Sequence, residues 1–373
     1  MSATRIACIY LRSGWGNLAS MDGIRFFRMA EALARRGYEV DVTVDRKHDR
    51  ITQPKLFGPR LREVPFQCVR WDDYDVVKTF FHAGFESLLA MGGGDHPFIV
   101  SKLGSVVGHE ETEGVYFFGS RRERLFDTQR EIAKRSRVVT VLTNRSAALW
   151  WKEHGYRTRV WQVPTGVDAE IPRIGQNPYL AMGISEPVAI YAGNIYNAAD
   201  QPEVNRLWQN RLNRIGALLR RDGIRLVVVG AGDSDQLDHD VVRHVGPVEG
   251  AKFWDWQRYA RVGLVLAQGP VQDNESSKIY YYLRTGLQVV CERPVPNAWL
   301  LETTAMGAIV DYDDVEGLAE SAARLASSPP RVEGVGESMV LHHSWDVRAR
   351  LYDALFAEAR TLRNSRTRPN QEP

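Results

Sequence analysis

Short apolar runs, many of them β-branched, alternate with amphipathic helical segments along most of the chain. This alternation is typical of a mainly parallel sheet, because parallel strands must be joined by crossover connections. The runs predict two series of strands, at residues 5–11, 39–44, 75–79, 98–102 and 138–142, and then at 188–192, 226–229, 241–245, 263–267, 288–291 and 308–310. We therefore expect an α/β protein that contains two sheets.

The clearest helical pattern covers residues 25–36, where the apolar side chains of Phe26, Met29, Ala30 and Leu33 share one face and Gly37 follows. Further helices are predicted at about 121–135 and 344–362.

One internal segment, residues 171–187, is rich in proline and shows no convincing periodicity, which predicts a linker. The predicted order is a first domain at 1–170, the linker, a second domain at 188–343, a closing helix at 344–363 and a flexible tail at 364–373. A chain of 373 residues is long enough for two domains that each bury a core.

The composition is that of an ordinary globular protein, with 44% hydrophobic and 25% charged residues, which excludes collagen-like, low-complexity and disordered classes. A net charge of +2 does not by itself indicate nucleic-acid binding. Cys8, Cys68 and Cys291 are isolated, so neither a zinc knuckle nor a disulfide framework is predicted and a reducing cytoplasm is expected.

The first apolar run, residues 6–11, is too short for a signal peptide, and no apolar stretch approaches the roughly 20 residues of a membrane span. The expected location is the cytoplasm, with peripheral contact at the inner membrane face as an alternative.

Glycines follow the first predicted strand of each half. Gly14 and Gly16 lie between the first strand and the first helix, and Gly193 follows the strand at 188–192. Glycine lets the backbone approach a ligand closely, and a helix start offers N–H groups to a phosphate. A tight strand-to-helix connection is the alternative for the first loop.

A more specific signal is the sequence Ser276, Ser277, Lys278 before an apolar helical pattern. The serines suit a helix N-cap, and the helix dipole disfavours a cation in the first turn unless an anion lies beside it. These residues predict a diphosphate site. The alternative is a solvated lysine on a surface helix.

Six segments, in this order, resemble motifs of GT-B glycosyltransferases: VPTGVD (163–168), IYAGNI (190–195), IRLVVVGAGD (224–233), VRHVGPV (242–248), SKIYYYLRTGLQVV (277–290) and SWDVRARLYDALF (344–356). The resemblance implies two Rossmann-like domains that face one another across a cleft, with a C-terminal helix that crosses back onto the N-terminal, acceptor-binding domain.

The segment around Lys278 is especially similar to bacterial exopolysaccharide glucuronosyltransferases, which implies a UDP-sugar as co-substrate, no prosthetic group, no metal and a role in polysaccharide biosynthesis. The implied donor contacts are Gly193, Ser276, Ser277 and Lys278 near the pyrophosphate and Gly246, Val248 and Tyr281 near the base and ribose, with Asn194 and Glu275 as further residues of the donor site. Two family features are missing. Asn194 stands where an arginine is familiar, and Glu275 is one residue out of register with the Glu-x7-Glu pair of retaining members.

The chemistry needs a cation at the departing diphosphate, for which Lys278 is the candidate, and an inverting enzyme also needs a base for the acceptor hydroxyl. The resemblance points to the loop after the fourth strand, where Gly104 occupies the usual position of the base and cannot act. His109 and Glu111 are the nearby candidates, with Glu110 and His82 as alternatives; a merely solvated loop is also open.

Two further patterns each have a purely structural explanation as an alternative to a functional one. Asp-x-Asp occurs at 72–75 and 311–314 but is expected to frame strand ends, so no metal site is predicted. Basic residues at 45–62 and on the first helix could contact an anionic lipid surface, a lipid-diphosphate acceptor or nucleic acid, or form a solvated face.

The leading hypothesis is a glycosyltransferase, of hexosyltransferase type, that moves a sugar from a UDP-sugar to a hydroxyl of a glycan, lipid-linked or small-molecule acceptor. The alternatives are a nucleotide-sugar epimerase on the same fold, a glycosyltransferase that modifies DNA bases, and a non-catalytic nucleotide-sugar-binding module. The sequence leaves open the sugar, the acceptor, the stereochemical outcome and the oligomeric state.

Overall fold

The computed structural model describes residues 3–10, 21–43, 54–109, 119–199, 201–248, 250–328 and 333–367. The chain folds as two compact units. Unit 1 contains the described residues from 3 to 166 and again from 344 to 367, and unit 2 contains those from 167 to 343.

Both units contain strands and helices in alternation. The strands are β1 (Arg5–Ile9), β2 (Glu39–Thr43), β3 (Lys55–Gly58), β4 (Leu61–Glu63), β5 (Val76–Phe80), β6 (Ile99–Lys102), β7 (Val138–Val141), β8 (Arg159–Gln162), β9 (Val188–Ala192), β10 (Arg225–Val229), β11 (Val242–Gly246), β12 (Val262–Val265), β13 (Gln288–Glu292) and β14 (Gly307–Val310). The helices are α1 (Met21–Arg35), α2 (Phe81–Ala90), α3 (Gly119–Arg135), α4 (Asn144–His154), α5 (Pro178–Ala181), α6 (Pro202–Arg221), α7 (Gly250–Tyr259), α8 (Ser277–Arg284), α9 (Trp299–Thr304), α10 (Val315–Ala326), α11 (Val335–His343), α12 (Trp345–Arg350) and α13 (Asp353–Thr367).

The sheet of unit 1 has eight strands in the order β3-β4-β2-β1-β5-β6-β7-β8. All neighbours pair in parallel except β3 and β4, which are antiparallel. The strand order reverses on either side of β1, so the sheet is doubly wound and its switch point lies between β1 and β5. One face of this sheet packs on α1 and on the C-terminal segment, because Phe26, Tyr352 and Phe356 belong to the same buried core cluster.

The sheet of unit 2 has six parallel strands in the order β11-β10-β9-β12-β13-β14. Numbered from the start of the unit, this order is 3-2-1-4-5-6, which is the order of the dinucleotide-binding Rossmann fold. The switch point lies between β9 and β12. In open α/β sheets of this kind, ligands bind outside the carboxyl ends of the strands at the switch point.

All eleven predicted strands are present, with bounds that differ from the predictions by no more than two residues. The described part of the first predicted strand ends at residue 10, so Leu11 lies outside the described residues. Three further strands were missed because β3, β4 and β8 are only three or four residues long and are not continuously apolar.

The prediction of one continuous helix over 344–362 is wrong. A turn at residues 351–352 separates α12 from α13 and places Tyr352 in the core of unit 1, where its ring stacks on Phe356 with centroids 5.3 Å apart. The prediction of a flexible tail from residue 364 is wrong as far as Thr367, because α13 continues to that residue. Within this helix Arg363 donates to the carboxylate of Asp75 (3.1 Å). Residues 368–373 lie outside the described residues.

The segment predicted as a linker contains the short helix α5. Tyr179 of α5 is buried, and its hydroxyl donates to the carbonyl oxygen of Trp256 at 2.5 Å. Part of this segment is therefore packed within unit 2.

Candidate functional site

The position of α8 is set by a buried tyrosine. The hydroxyl of Tyr282 accepts a hydrogen bond from the backbone N–H of Ala192 (2.8 Å) and donates to the carbonyl oxygen of Ile190 (3.2 Å). Its ring packs so tightly on Gly263 that a Cβ there would collide with it. These contacts hold α8 against the carboxyl end of β9, and they bring the start of α8 to the switch point of the sheet.

Lys278, in the first turn of α8, lies on Gly193. A Cβ added to Gly193 would be 2.7 Å from Cε of Lys278 and 2.9 Å from the Tyr191 hydroxyl oxygen, distances that side-chain atoms do not adopt. The Lys278 ammonium is 5.1 Å from the centroid of the Tyr191 ring, within the range of a cation–π contact. Lys278 is half-buried and runs over the end of β9.

The start of α8 is held by Asn297, from the segment that follows β13. The backbone N–H of Ser276 donates to Oδ1 of Asn297 (2.8 Å), and Nδ2 of Asn297 donates to the Ser276 carbonyl oxygen (2.9 Å). Asn297 is buried. Ser276 is the N-cap residue, as predicted, but its side chain makes no capping hydrogen bond. Asn297 therefore binds both backbone polar groups of Ser276, the residue directly before Ser277 and Lys278.

The other end of the β12–α8 loop is held by Glu292, the last residue of β13. Its carboxylate accepts from the backbone N–H of Ala267 (2.5 Å) and of Asp313 (3.0 Å), and it forms an ion pair with Arg211 of α6. Arg211 also donates to the carbonyl oxygen of Ala267 (3.1 Å). The Glu292 side chain is fully buried. One carboxylate thus connects the carboxyl ends of β12, β13 and β14.

Two predicted donor contacts are buried: Glu275, just before α8, and Tyr281, within it. The Glu275 carboxylate accepts from the hydroxyl of Tyr280 (2.9 Å), and the Tyr281 ring lies 5.3 Å from the ring of Trp254. Both side chains therefore have packing roles within unit 2.

The predicted nucleoside contacts lie at the same edge of the sheet as Gly193. The backbone N–H of Gly230, just after β10, donates to the carbonyl oxygen of Gly246 (3.0 Å), and that of Gly193 donates to Val229 (2.9 Å). Gly246 has φ +81°, a backbone conformation that favours glycine. Asn194 accepts from the N–H of Ala231 (3.2 Å), and Val248 is half-buried.

The candidates for the acceptor base belong to unit 1. His109 is exposed, with its ring 5.7 Å from that of Phe126. Burial lowers the pKa of His82 to about 4, and its Nε2 lies 3.2 Å from Oε1 of Gln129. A Cβ at Gly104 would be 2.8 Å from the Phe81 ring, so this position has no room for an acidic side chain without rearrangement. Glu110, Glu111, Gly14 and Gly16 lie outside the described residues.

Several basic residues of the predicted cluster are paired with carboxylates within unit 1. Arg62 bonds twice to Asp41 (2.7 and 2.6 Å), and Arg36 donates to Asp353 (3.0 Å). Residues 45–53 of the cluster lie outside the described residues. In the described part of the chain, no helix is both long and apolar enough to cross a membrane, and no three potential metal ligands are grouped together.

Sequence reasoning missed the residues that hold the site in place: Arg211, Tyr282, Glu292 and Asn297. Glu292 carried one available signal, because a carboxylate that ends an otherwise apolar strand run must find partners inside the protein. Asn297 carried none, since Pro-Asn is ordinary in a turn.

Neither a family model nor a curated protein sequence matches the chain. Solved structures, however, are similar to this chain. A sucrose-phosphate synthase from Thermosynechococcus elongatus is 15% identical, with a TM-score of 0.70, 95% of this chain and 100% of that chain being covered. Anabaena Alr3699/HepE, solved in complex with UDP and glucose, is 11% identical, with a TM-score of 0.66 and coverage of 95% and 100%.

WaaG, described as a glycosyltransferase involved in lipopolysaccharide biosynthesis, is 17% identical, with a TM-score of 0.57 and coverage of 97% and 99%. These likenesses confirm the predicted fold, which is GT-B.

Proposed function

We propose that this chain, which has the GT-B fold, is a glycosyltransferase that moves a sugar from a nucleotide-diphosphate donor to a hydroxyl group of an acceptor. The observation that carries the proposal is the contact between Lys278 and Gly193 at the switch point of the unit 2 sheet. It joins a cation, a helix start and a glycine with no side chain in the way, which are the parts that a diphosphate site needs.

The proposed chemistry follows from the charge on the leaving group. Glycosyl transfer passes through an oxocarbenium-like state while negative charge accumulates on the departing diphosphate. The first turn of a helix presents N–H groups without intrahelical acceptors, and its dipole is positive at that end. Lys278 would add a full positive charge there, so both groups would stabilise the transition state more than the bound donor.

We propose a UDP-sugar as the donor. The support is that HepE was solved with UDP and glucose and that the segment around Lys278 resembles glucuronosyltransferases. In this proposal Gly193, Asn194, Ser276, Ser277 and Lys278 hold the diphosphate, and Gly246, Val248, Glu275 and Tyr281 lie around the nucleoside and sugar. His109 or Glu111 is the proposed base for the hydroxyl of a glycan, lipid-linked or small-molecule acceptor.

The test is the binding of UDP to the full chain, measured by isothermal titration calorimetry, together with release of UDP from UDP-glucose and UDP-glucuronic acid. In Lys278→Ala we expect UDP binding to weaken and turnover to fall about 100-fold, which corresponds to loss of one donor to the developing charge. Lys252→Ala, which changes an exposed lysine of α7, is the matched control and should behave as the wild type.

UDP binding that is unchanged in Lys278→Ala would contradict the site. UDP binding without turnover of either sugar nucleotide, with acceptors present, would favour the non-catalytic binding module. Interconversion of the donor sugar with no acceptor would favour the epimerase.

A further inference from the structure

The loops that follow β9 and β10 lie against each other at the carboxyl edge of the unit 2 sheet. The backbone N–H of Ile195 donates to the carbonyl oxygen of Ala231 (2.9 Å). The backbone N–H of Asp233 donates to the carbonyl oxygen of Tyr196 (2.9 Å), and Gly232 lies so close to that oxygen that a Cβ would collide with it. The two loops therefore continue the contact between β9 and β10 beyond the ends of the strands.

Asn205, in the first turn of α6, binds both loops. Its Nδ2 lies 2.9 Å from the carbonyl oxygen of Ile195, 3.0 Å from that of Tyr196 and 2.8 Å from that of Asp233. The first two carbonyl groups belong to the loop after β9 and the third to the loop after β10. Asn205 is buried, so loss of its amide would leave buried acceptors without this donor. One side-chain amide thus connects the two loops.

Gln209, one turn further along α6, fixes the orientation of the Asn205 amide. Nε2 of Gln209 donates to Oδ1 of Asn205 (2.6 Å), and Oε1 of Gln209 accepts from the backbone N–H of Gln236 (2.7 Å). A flipped Asn205 amide would place its oxygen against three carbonyl oxygens and its N–H groups against the N–H groups of Gln209. Only one orientation of Asn205 therefore satisfies these groups, and it is the one that binds the loops.

Tyr196 has a backbone conformation that residues other than glycine rarely adopt, with φ +65°. Such a conformation persists only where the surrounding structure maintains it, and it is common at ligand-binding loops. The carbonyl oxygen of Tyr196 accepts from Asn205, and its ring stacks on that of Trp208, also on α6, with centroids 6.5 Å apart. Both the backbone and the ring of Tyr196 are therefore held by α6.

The same two loops carry the proposed diphosphate contacts. Gly193 and Asn194 directly precede Ile195 in the loop after β9. Oδ1 of Asn194 accepts from the backbone N–H of Ala231 (3.2 Å), and a Cβ at Gly230 would collide with the carbonyl oxygen of Gly193. The positions of both diphosphate contacts therefore depend on how the two loops lie on each other.

We propose that Asn205 is a positioning residue for the nucleotide donor, an inference that rests on the proposed function. It keeps the two loops in one arrangement, so the diphosphate contacts at Gly193 and Asn194 are in place before the nucleotide binds. Without Asn205 the loops would adopt this arrangement only part of the time, and the apparent affinity would fall by that fraction. Once the donor is bound the loops are ordered in either case, so the chemical step would change little.

The test compares donor binding and turnover in Asn205→Ala with those of the wild type. We expect the Kd of UDP, measured by calorimetry, and the KM of the UDP-sugar each to rise about 10-fold, with kcat within about 3-fold of the wild type. A side chain that only stabilised the fold would lower the midpoint of urea unfolding and leave both constants unchanged. Asn205→Asp, which keeps the acceptor for Gln209 but loses the amide N–H groups, should show the same division between KM and kcat.

Asn213→Ala is the matched control, since Asn213 lies two turns further along α6 and also binds the backbone of a later segment. Its Nδ2 donates to the carbonyl oxygen of Gln236 (2.8 Å), and its Oδ1 accepts from the backbone N–H of Asp238 (2.8 Å). Neither bond involves the loop residues that contact Asn205. This variant should lose stability and keep the wild-type Kd and KM.

Hydrogen exchange tests the two loops without nucleotide or turnover. In the wild type, peptides that cover residues 193–198 and 229–234 should exchange far more slowly than an unstructured chain. In Asn205→Ala they should exchange about 10-fold faster or more, and in Asn213→Ala they should exchange as in the wild type. The wild-type measurement does not depend on any variant being folded.

Values of Kd and KM in Asn205→Ala equal to those of the wild type, a loss confined to kcat, or loops that exchange in the wild type as fast as an unstructured chain would each overturn the proposal. If the wild type binds no UDP, the proposed function fails, and hydrogen exchange alone then decides whether Asn205 holds the loops together.

Discussion

Replacement of Gly193 by alanine tests the geometry of the donor site with a single methyl group. The new Cβ would be 2.7 Å from Cε of Lys278 and 2.9 Å from the hydroxyl oxygen of Tyr191. Tyr191 is buried and cannot move freely, whereas the end of Lys278 can. We therefore expect the lysine to be displaced from the end of β9 while the fold remains intact.

The expected loss of stability is small. Overpacking by one methyl group costs about 1–3 kcal/mol. Gly193 does not have a positive φ, so alanine is compatible with its backbone and offsets about 0.4–1 kcal/mol through the unfolded state. The net loss is about 1–2 kcal/mol, and a urea titration should detect it with an unchanged slope.

The expected loss of affinity is larger. A hydrogen bond to a charged group contributes about 1.5–3 kcal/mol, so displacement of the ammonium should weaken UDP binding by about 10- to 100-fold. Calorimetry measures this directly. The control is Gly58→Ala, at a glycine of β3 with open space around its Cα and no positive φ, which should bind UDP as the wild type does.

A double-mutant cycle gives the refuting result. If the methyl group acts by displacing Lys278, it should cost almost no further affinity in a Lys278→Ala background, and the two changes should be strongly non-additive. Additive losses would mean that Gly193→Ala acts through something other than the lysine, and the assignment of the Lys278–Gly193 contact to the donor site would fail.

Two further predictions concern stability. Glu292→Gln leaves the buried guanidinium of Arg211 with Asp313 (3.2 Å) as its remaining carboxylate partner, and it keeps only one of the two oxygens that accept from the backbone N–H groups of Ala267 and Asp313. We therefore expect a loss of about 3 kcal/mol by urea unfolding, against no change in the exposed control Glu302→Gln, and a loss below about 1 kcal/mol would contradict the role of this ion pair. Burial lowers the pKa of His82 and that of His154 to about 4, so in the unfolded chain both bind a proton near pH 6.5 while in the folded chain they do not. The free energy of unfolding should therefore fall as the pH drops from 6.5 to 4, by about 3 kcal/mol for the buried His82 alone. His82→Asn should make that part of the profile less steep and leave the contribution of His154, and the exposed control His239→Asn should leave the profile as it is. Equal profiles for His82→Asn and the wild type would refute the assignment.

Much of the fold was predictable because buried parallel strands are read from local apolar runs. All eleven predicted strands exist, and the start of α8 at Ser277 follows from a serine pair before an apolar helical pattern. Burial on both faces of a sheet imposes a continuous apolar run, and that constraint is visible in a few neighbouring residues. The resemblance to GT-B motifs depended on the same short segments.

The break between α12 and α13 was not predictable from the sequence. Residues 344–362 have an acceptable helical pattern throughout, and the turn at 351–352 arises because Tyr352 packs into a core made by β5 and α1. Tertiary packing overrides local propensity at such a point.

Local pattern therefore determined eleven of the strands, the start of α8 and the order of the glycine, serine and lysine residues that follow the strands of unit 2. Only the tertiary structure decided that Lys278 lies on Gly193, that Asn297 and Glu292 hold the loop between them, and that Asn205 connects the loops after β9 and β10. The physical reason is that burial imposes a pattern of apolar residues that can be recognised within a short segment. Contacts between distant residues depend instead on the strand order and on packing, which no short segment specifies.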